Sequence, residues 1–153
     1  MARIRIGQDD LITALEEHSY ECYYVLDLTN GEVHWVPTEL SGLDRDEELE
    51  AQMEAEPERF RKVQSLPSRV GFAIMEEFAD SLPDSRMKDR LFHALHGRRP
   101  FRHFKDVLND DEQVSDAFFR FRDQEMLIHA QEWLDEEGLD AELVPYSAVK
   151  ELL

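Results

Sequence analysis

Cysteine occurs once in the chain, as Cys22. No internal disulfide can form, and a reducing cytosol is the natural setting. Cys22 stands beside Tyr23-Tyr24-Val25 in a strand-like run, where it reads as a packing residue rather than a nucleophile. Long apolar runs are also missing. None approaches the roughly 20 residues that a membrane helix needs. The N-terminal Met-Ala-Arg-Ile-Arg-Ile-Gly has positive charge but no apolar stretch behind it, because Gln8-Asp9-Asp10 follows at once, and this argues against a signal peptide. No glycine-rich phosphate loop, nucleophile elbow or zinc-knuckle spacing occurs. Positive charge is scarce: 17 Lys and Arg face 35 Asp and Glu, a net charge of -18. Such a chain repels nucleic-acid phosphate and anionic membranes at long range, so neither is an expected partner.

What is present is enough for a folded core. Apolar residues make up 42% of the chain and aromatics 10%, and a chain of this length buries roughly 70% of the surface it exposes when unfolded. The expectation is one globular domain over residues 1–153. Asp9 to Glu17 reads as a short helix capped by Asp9 or Asp10, with Leu11, Ile12 and Leu15 on one face. Residues 20–37 read as a β-hairpin, in which Asn30-Gly31 supplies positive φ and Pro37 ends the second strand. A lone hairpin is marginal in water, and residues 3–6 and 141–146 offer further strands. Residues 41–56 are rich in acids and form a solvated helix or a mobile linker. A short turn with Phe60 and Val63 buried follows. Helices are then expected from a Ser68 cap (Val70, Ile74, Phe78) and from Ser85 (Met87, Leu91, Leu95) to a stop at Gly97. Another should start at Pro100, and the longest should run from about Asp111 to Glu137, ended by Gly138. Its buried stripe would hold Val114, Phe118, Phe121, Ile128 and Leu134. Trp35 and Trp133 read as packing residues. The class is α+β: a small antiparallel sheet built on one hairpin and packed against several helices, with helix dominant.

Charge is segregated along the chain. Residues 39–58 hold nine acids and one base, residues 59–70 four bases and no acid, residues 86–105 seven bases and one acid, and residues 106–153 fourteen acids and three bases. The two basic islands either neutralise the protein's own acids or form an exposed cationic patch. The second island contains "GRRPFRHFKDVL", residues 97–108. At about 100° per residue, Phe101, Phe104, Val107 and Leu108 share an apolar arc, and Arg102, His103, Lys105 and Asp106 fall opposite. Arg98, Arg99 and Arg102 surround a helix start, where free N–H groups favour an anion. The competing arrangement is an internal pair, Arg102 with Asp106 one turn on. On the preceding helix Asp89, His93 and His96 share a polar face at a spacing able to hold a metal, but no second ligand motif accompanies them and no metal is expected. Phe118-Phe119-Arg120-Phe121-Arg122 resembles an aromatic-basic stacking surface, although helical spacing places Phe118 and Phe121 in the core.

The strings "YYVLDLTNGEV", "PERF", "GRRPFRHFKDVL" and "AQEWLDEEGL", in this order, resemble the bacterial uncharacterised protein family number 158 of the UPF series. The resemblance runs from about Asp9 to Val144. It is sharpest at Gly97, Arg98, Phe101, Arg102, Phe104, Lys105, Asp106, Val107 and Leu108. Where that family reads small residues this chain has Arg99 and Pro100, and where it often has a second base this chain has His103. The resemblance implies a small bacterial cytoplasmic protein and implies no reaction. It focuses attention on Arg98, Arg102, Lys105 and Asp106.

Two functions are compatible with these features. One is a non-enzymatic interaction or regulatory module with a charge-polarised surface, meeting a protein partner or a small anion. The other is a small enzyme or binding protein for a phosphorylated or anionic metabolite, with Arg98, Arg102 and Lys105 as its clamp. No cofactor is expected in either case.

Overall fold

The computed structural model describes residues 3–145, and its elements fall into two compact units, Met1–Leu66 with Leu127–Leu153, and Pro67–Met126. The class is α+β. Among the described residues six helices accompany a three-stranded antiparallel sheet and a two-stranded parallel one.

In the first unit β1 (Ile4–Gly7) runs straight into α1 (Gln8–Glu16). No residue is left between them to cap the helix from its side chain. Gly7 takes the cap position, and Asp9 and Asp10 lie inside the first turn instead, where their charge still favours the helix dipole. The hairpin forms as expected, with β2 (Cys22–Asp27) and β3 (Val33–Pro37) in the register Cys22↔Pro37 to Leu26↔Val33. Its loop is Leu28–Gly31, closed by Asp27 N–H to Glu32 O and Gly31 N–H to Asp27 O, both 2.8 Å. Gly31 alone supplies positive φ, at +80°, and a Cβ there would stand 2.0 Å from the Arg5 carbonyl oxygen. Close approach and backbone twist both require glycine at this position.

The short turn expected at 57–63 is in part a strand. After Arg59 N–H bonds to Glu56 O, β4 (Phe60–Val63) pairs antiparallel with the free edge of β2, giving the order β3-β2-β4. That edge is therefore unavailable to residues 3–6 and 141–144. These pair with each other instead, β1 parallel to β5 (Ala141–Val144), from Ile4↔Ala141 to Gly7↔Val144. Tyr146, the last residue of that expected strand, lies outside the described residues. A single turn of 3₁₀ helix at Glu39–Ser41 leads toward α2 (Glu47–Ala55). The Asp46 carboxylate accepts from Leu49 N–H and caps α2. Leu49 is buried with Val25 and Val36, and Met53 packs on the same cluster, whereas Glu47, Glu48 and Glu54 face water.

In the second unit α3 (Ser68–Ser81) starts at the residue expected to cap it. Pro67 holds the N-cap position, and Ser68, already in the first turn, caps nothing. Ser85 does cap α4 (Arg86–Leu95), its hydroxyl accepting from Lys88 N–H. Pro100 opens α5 (Pro100–Leu108) as its fixed φ allows. Asp111 accepts from Gln113 and Val114 N–H at the start of α6 (Glu112–Glu136). Phe118 is the aromatic hub, with ring centroids 5.3 Å from Phe78 and 5.2 Å from Phe104. Burying such rings contributes about 1.5–3 kcal/mol each, with about 0.5–1.5 kcal/mol more from edge-to-face geometry.

Three expected packing positions are corrected. Ile128 is 53% exposed. The stripe through Phe118 and Phe121 does not continue: beyond Met126 the buried side is set by Ala130, Trp133 and Leu134, and Ile128, two residues before Ala130, sits about 200° away around the helix. Trp35 is 43% exposed, on the edge strand β3, whereas Trp133 is buried. Phe101 is 37% exposed. It stands at the first turn of α5, where its ring lies edge-on to Phe72 and over Gly71 rather than inside the core.

Candidate functional site

The α4–α5 corner carries the motif residues. α4 buries Leu91, Ala94 and Leu95, and α5 buries Phe104, Val107 and Leu108. This fixes both helices and turns the remaining faces outward. Gly97 does not make the break by positive φ. The left-handed residue is Arg99, at φ 48° and ψ 58°, a conformation that burdens any residue with a Cβ. Arg99 occupies the N-cap position: its carbonyl accepts from His103 N–H at 2.9 Å, but its side chain caps nothing. No acid lies in the first turn of α5. As at any helix start, the first-turn N–H groups that follow Pro100 have no intrahelical partner.

Arg98, Arg99, Arg102, His103, Lys105 and Asp106 are all exposed. Among the described residues the side chains of Arg98, Arg99, Arg102, Lys105 and Asp106 make no ion pair and no hydrogen bond. The pair of Arg102 with Asp106 that helical spacing permits is not formed. The bases of α4 behave differently. Lys88 donates to the Asp80 and Leu82 carbonyls and approaches Asp84 at 3.8 Å, and Arg90 pairs with Asp110.

In the other basic island Arg59, Arg61 and Lys62 are engaged internally, whereas Arg69 is exposed. Arg59 forms a bidentate pair with Asp27, Nε to Oδ1 at 3.0 Å and Nη2 to Oδ2 at 2.8 Å, and also binds Glu56. Asp27 is 2% exposed and further accepts from Thr29 N–H. Burial alone would favour its neutral form. The Arg59 hydrogen bonds, the Thr29 N–H and the guanidinium charge outweigh that and hold the carboxyl below the ordinary carboxylate range. Arg61 pairs with Glu137 at 2.6 Å, and Lys62 lies over the Tyr23 ring. Asp27 escaped notice in the sequence because it read as one position of an alternating strand. The available signal was a carboxylate immediately before a turn.

The weak metal set does not assemble. His93 meets His103 ring to ring at 6.4 Å, but the Nδ1 of His96 contacts the Phe92 carbonyl oxygen at 2.7 Å. Among the described residues no group of three or more His, Cys, Asp or Glu side chains is placed to hold a metal ion. No described helix is long and apolar enough to cross a membrane. In the aromatic-basic run Phe118 is buried and Phe121 packs on Phe78, while Phe119 is 44% exposed and Arg122 pairs with Asp123.

Comparison with known proteins agrees with the motif reading. A family model described as an uncharacterised protein family, UPF0158, matches residues 3–144. The chain is also similar to a UPF0158 protein of Pseudomonas aeruginosa, with 27% identity over 139 residues, covering 91% of this chain and 87% of that protein. No solved structure matches the chain. With a match across nearly its whole length and the basic motif on the α4–α5 corner, the chain belongs to the UPF0158 family.

Proposed function

We propose that the protein is a non-enzymatic interaction module that grips an acidic segment of a partner protein through Arg98, Arg102 and Lys105. The observation that carries this reading is the lack of internal partners for these exposed cations in a chain of net charge -18. Several other cations of the chain, Arg59, Arg61 and Arg90 among them, are drawn into pairs with the protein's own carboxylates. The half-exposed Phe101 gives the basic face an apolar contact point, and Asp106 offers a single carboxylate that would fix a partner's register. All of these groups lie at the surface, open to a partner. A cytoplasmic location is part of this reading, supported by the lone Cys22.

The free first-turn amides of α5 favour a second reading, capture of a phosphorylated metabolite. One titration series separates the two. Poly-L-glutamate, inorganic phosphate, a sugar phosphate and a short RNA are added to the wild type and to the triple variant Arg98→Ala/Arg102→Ala/Lys105→Ala, at low and high salt. The module reading expects poly-L-glutamate to bind the wild type, to weaken with salt and to be lost in the variant. Specific thermal stabilisation by the sugar phosphate alone establishes the metabolite reading, and binding of the RNA alone establishes a nucleic-acid patch; either outcome removes the module reading.

A further inference from the structure

A cleft of about 380 Å³ opens in the first unit where α1 ends beside the start of β2. Three of the chain's four tyrosines, Tyr20, Tyr23 and Tyr24, line it, together with Glu17 and Lys62. Glu17 is the C-cap residue of α1, and the last turn of that helix holds no base. A carboxylate and the negative end of a helix therefore coincide at one wall, an arrangement that favours a cation. Glu17 is held in place: its Oε1 accepts from Ser19 N–H at 2.9 Å. Two further acidic groups on the wall stay neutral. Burial raises the Cys22 thiol and the Tyr24 phenol, and the Glu17 charge raises both further. The aromatic surface already receives one ammonium, since Lys62 Nζ lies 5.0 Å from the centroid of the Tyr23 ring. Tyr20, which also lines the cleft, is 84% exposed.

We propose that this cleft binds a small organic cation, an alkylammonium or alkylguanidinium, with Glu17 as its counter-charge and the Tyr20 and Tyr24 rings as its walls. Aromatic faces and a partly shielded carboxylate are the combination that recognises such cations, because each attracts positive charge and tolerates an attached alkyl body. Lys62 is the only lysine or arginine among the residues that line the cleft. Its place over Tyr23 leaves Glu17 to meet the ligand.

The test is a titration of the full chain, followed by amide NMR, with butylammonium chloride, butylguanidinium chloride and sodium butyrate at matched ionic strength. Both cations should shift the Ser19, Cys22 and Tyr24 amides in a saturable way, and butyrate should not. Glu17→Gln keeps an acceptor for Ser19 N–H and removes the charge, so it should weaken the cations by about tenfold. Tyr20→Ala should weaken them as well without lowering the melting temperature, which guards against a folding effect of the first variant. An equal response to butyrate, a Glu17→Gln chain that binds the cations as the wild type does, or the absence of shifts at these amides overturns the proposal.

Discussion

Two basic stretches of this chain have opposite fates. In residues 59–62 Arg59 binds Asp27 and Glu56, Arg61 binds Glu137, and Lys62 covers Tyr23. In residues 98–105 Arg98, Arg99, Arg102 and Lys105 are exposed with no ion pair among the described residues. The difference follows from local surroundings. The unit that holds the first stretch carries seven bases against twenty-three acids, so every arginine has carboxylates on hand. The unit that holds the second has ten bases against twelve acids, and several of those acids are already used at caps or in other pairs. Net charge per chain hides this, and net charge per unit exposes it.

The comparison can be broken most sharply at Asp27. Replacing it with Ala removes the buried carboxylate that accepts from Arg59 and from Thr29 N–H, and should lower unfolding stability by roughly 1.5–3 kcal/mol, measured by urea titration. Next in size is Gly31→Ala, which meets the Arg5 carbonyl and an unfavourable positive φ at once. It should destabilise by more than about 1 kcal/mol, and a wild-type melting temperature in this variant would mean that β1 does not lie against the hairpin loop. Acid provides a third probe. The Asp27 carboxyl titrates below its ordinary value of 3.8 in the folded state, so its contribution is complete above that value and disappears as pH falls through the folded value. Wild type and Asp27→Asn should therefore differ most near neutral pH and converge on acidification; a gap independent of pH would show that the pair is held by packing rather than charge. The smallest effect belongs to the other stretch. Arg98→Ala/Arg102→Ala/Lys105→Ala should change stability by no more than about 0.5 kcal/mol.

Much of the fold is legible from short-range rules. The hairpin, the Ser85 cap, Pro100 at the head of α5 and Gly138 past the end of α6, at φ 69°, each need only neighbouring residues. What the sequence concealed depends on distant partners. β4 has four residues, two of them charged, and becomes a strand only because β2 offers an edge. β1 and β5 pair across almost the whole chain, so their extended character shows but their mutual pairing does not. Phe101 obeyed the helical projection and still emerged half-exposed, because a projection says which way a residue points and not whether a neighbour reaches it. At the candidate site the outward face of Arg102, Lys105 and Asp106 was readable from periodicity. The left-handed Arg99 and the missing Arg102–Asp106 pair were not, since both depend on how the α4–α5 corner is built.

The most direct test is to melt wild type, Arg59→Ala and Arg102→Ala side by side with no ligand present. An engaged arginine and a free one predict a large fall in melting temperature for Arg59→Ala and none for Arg102→Ala. An equal fall in both would make the motif internal scaffolding and contradict the account.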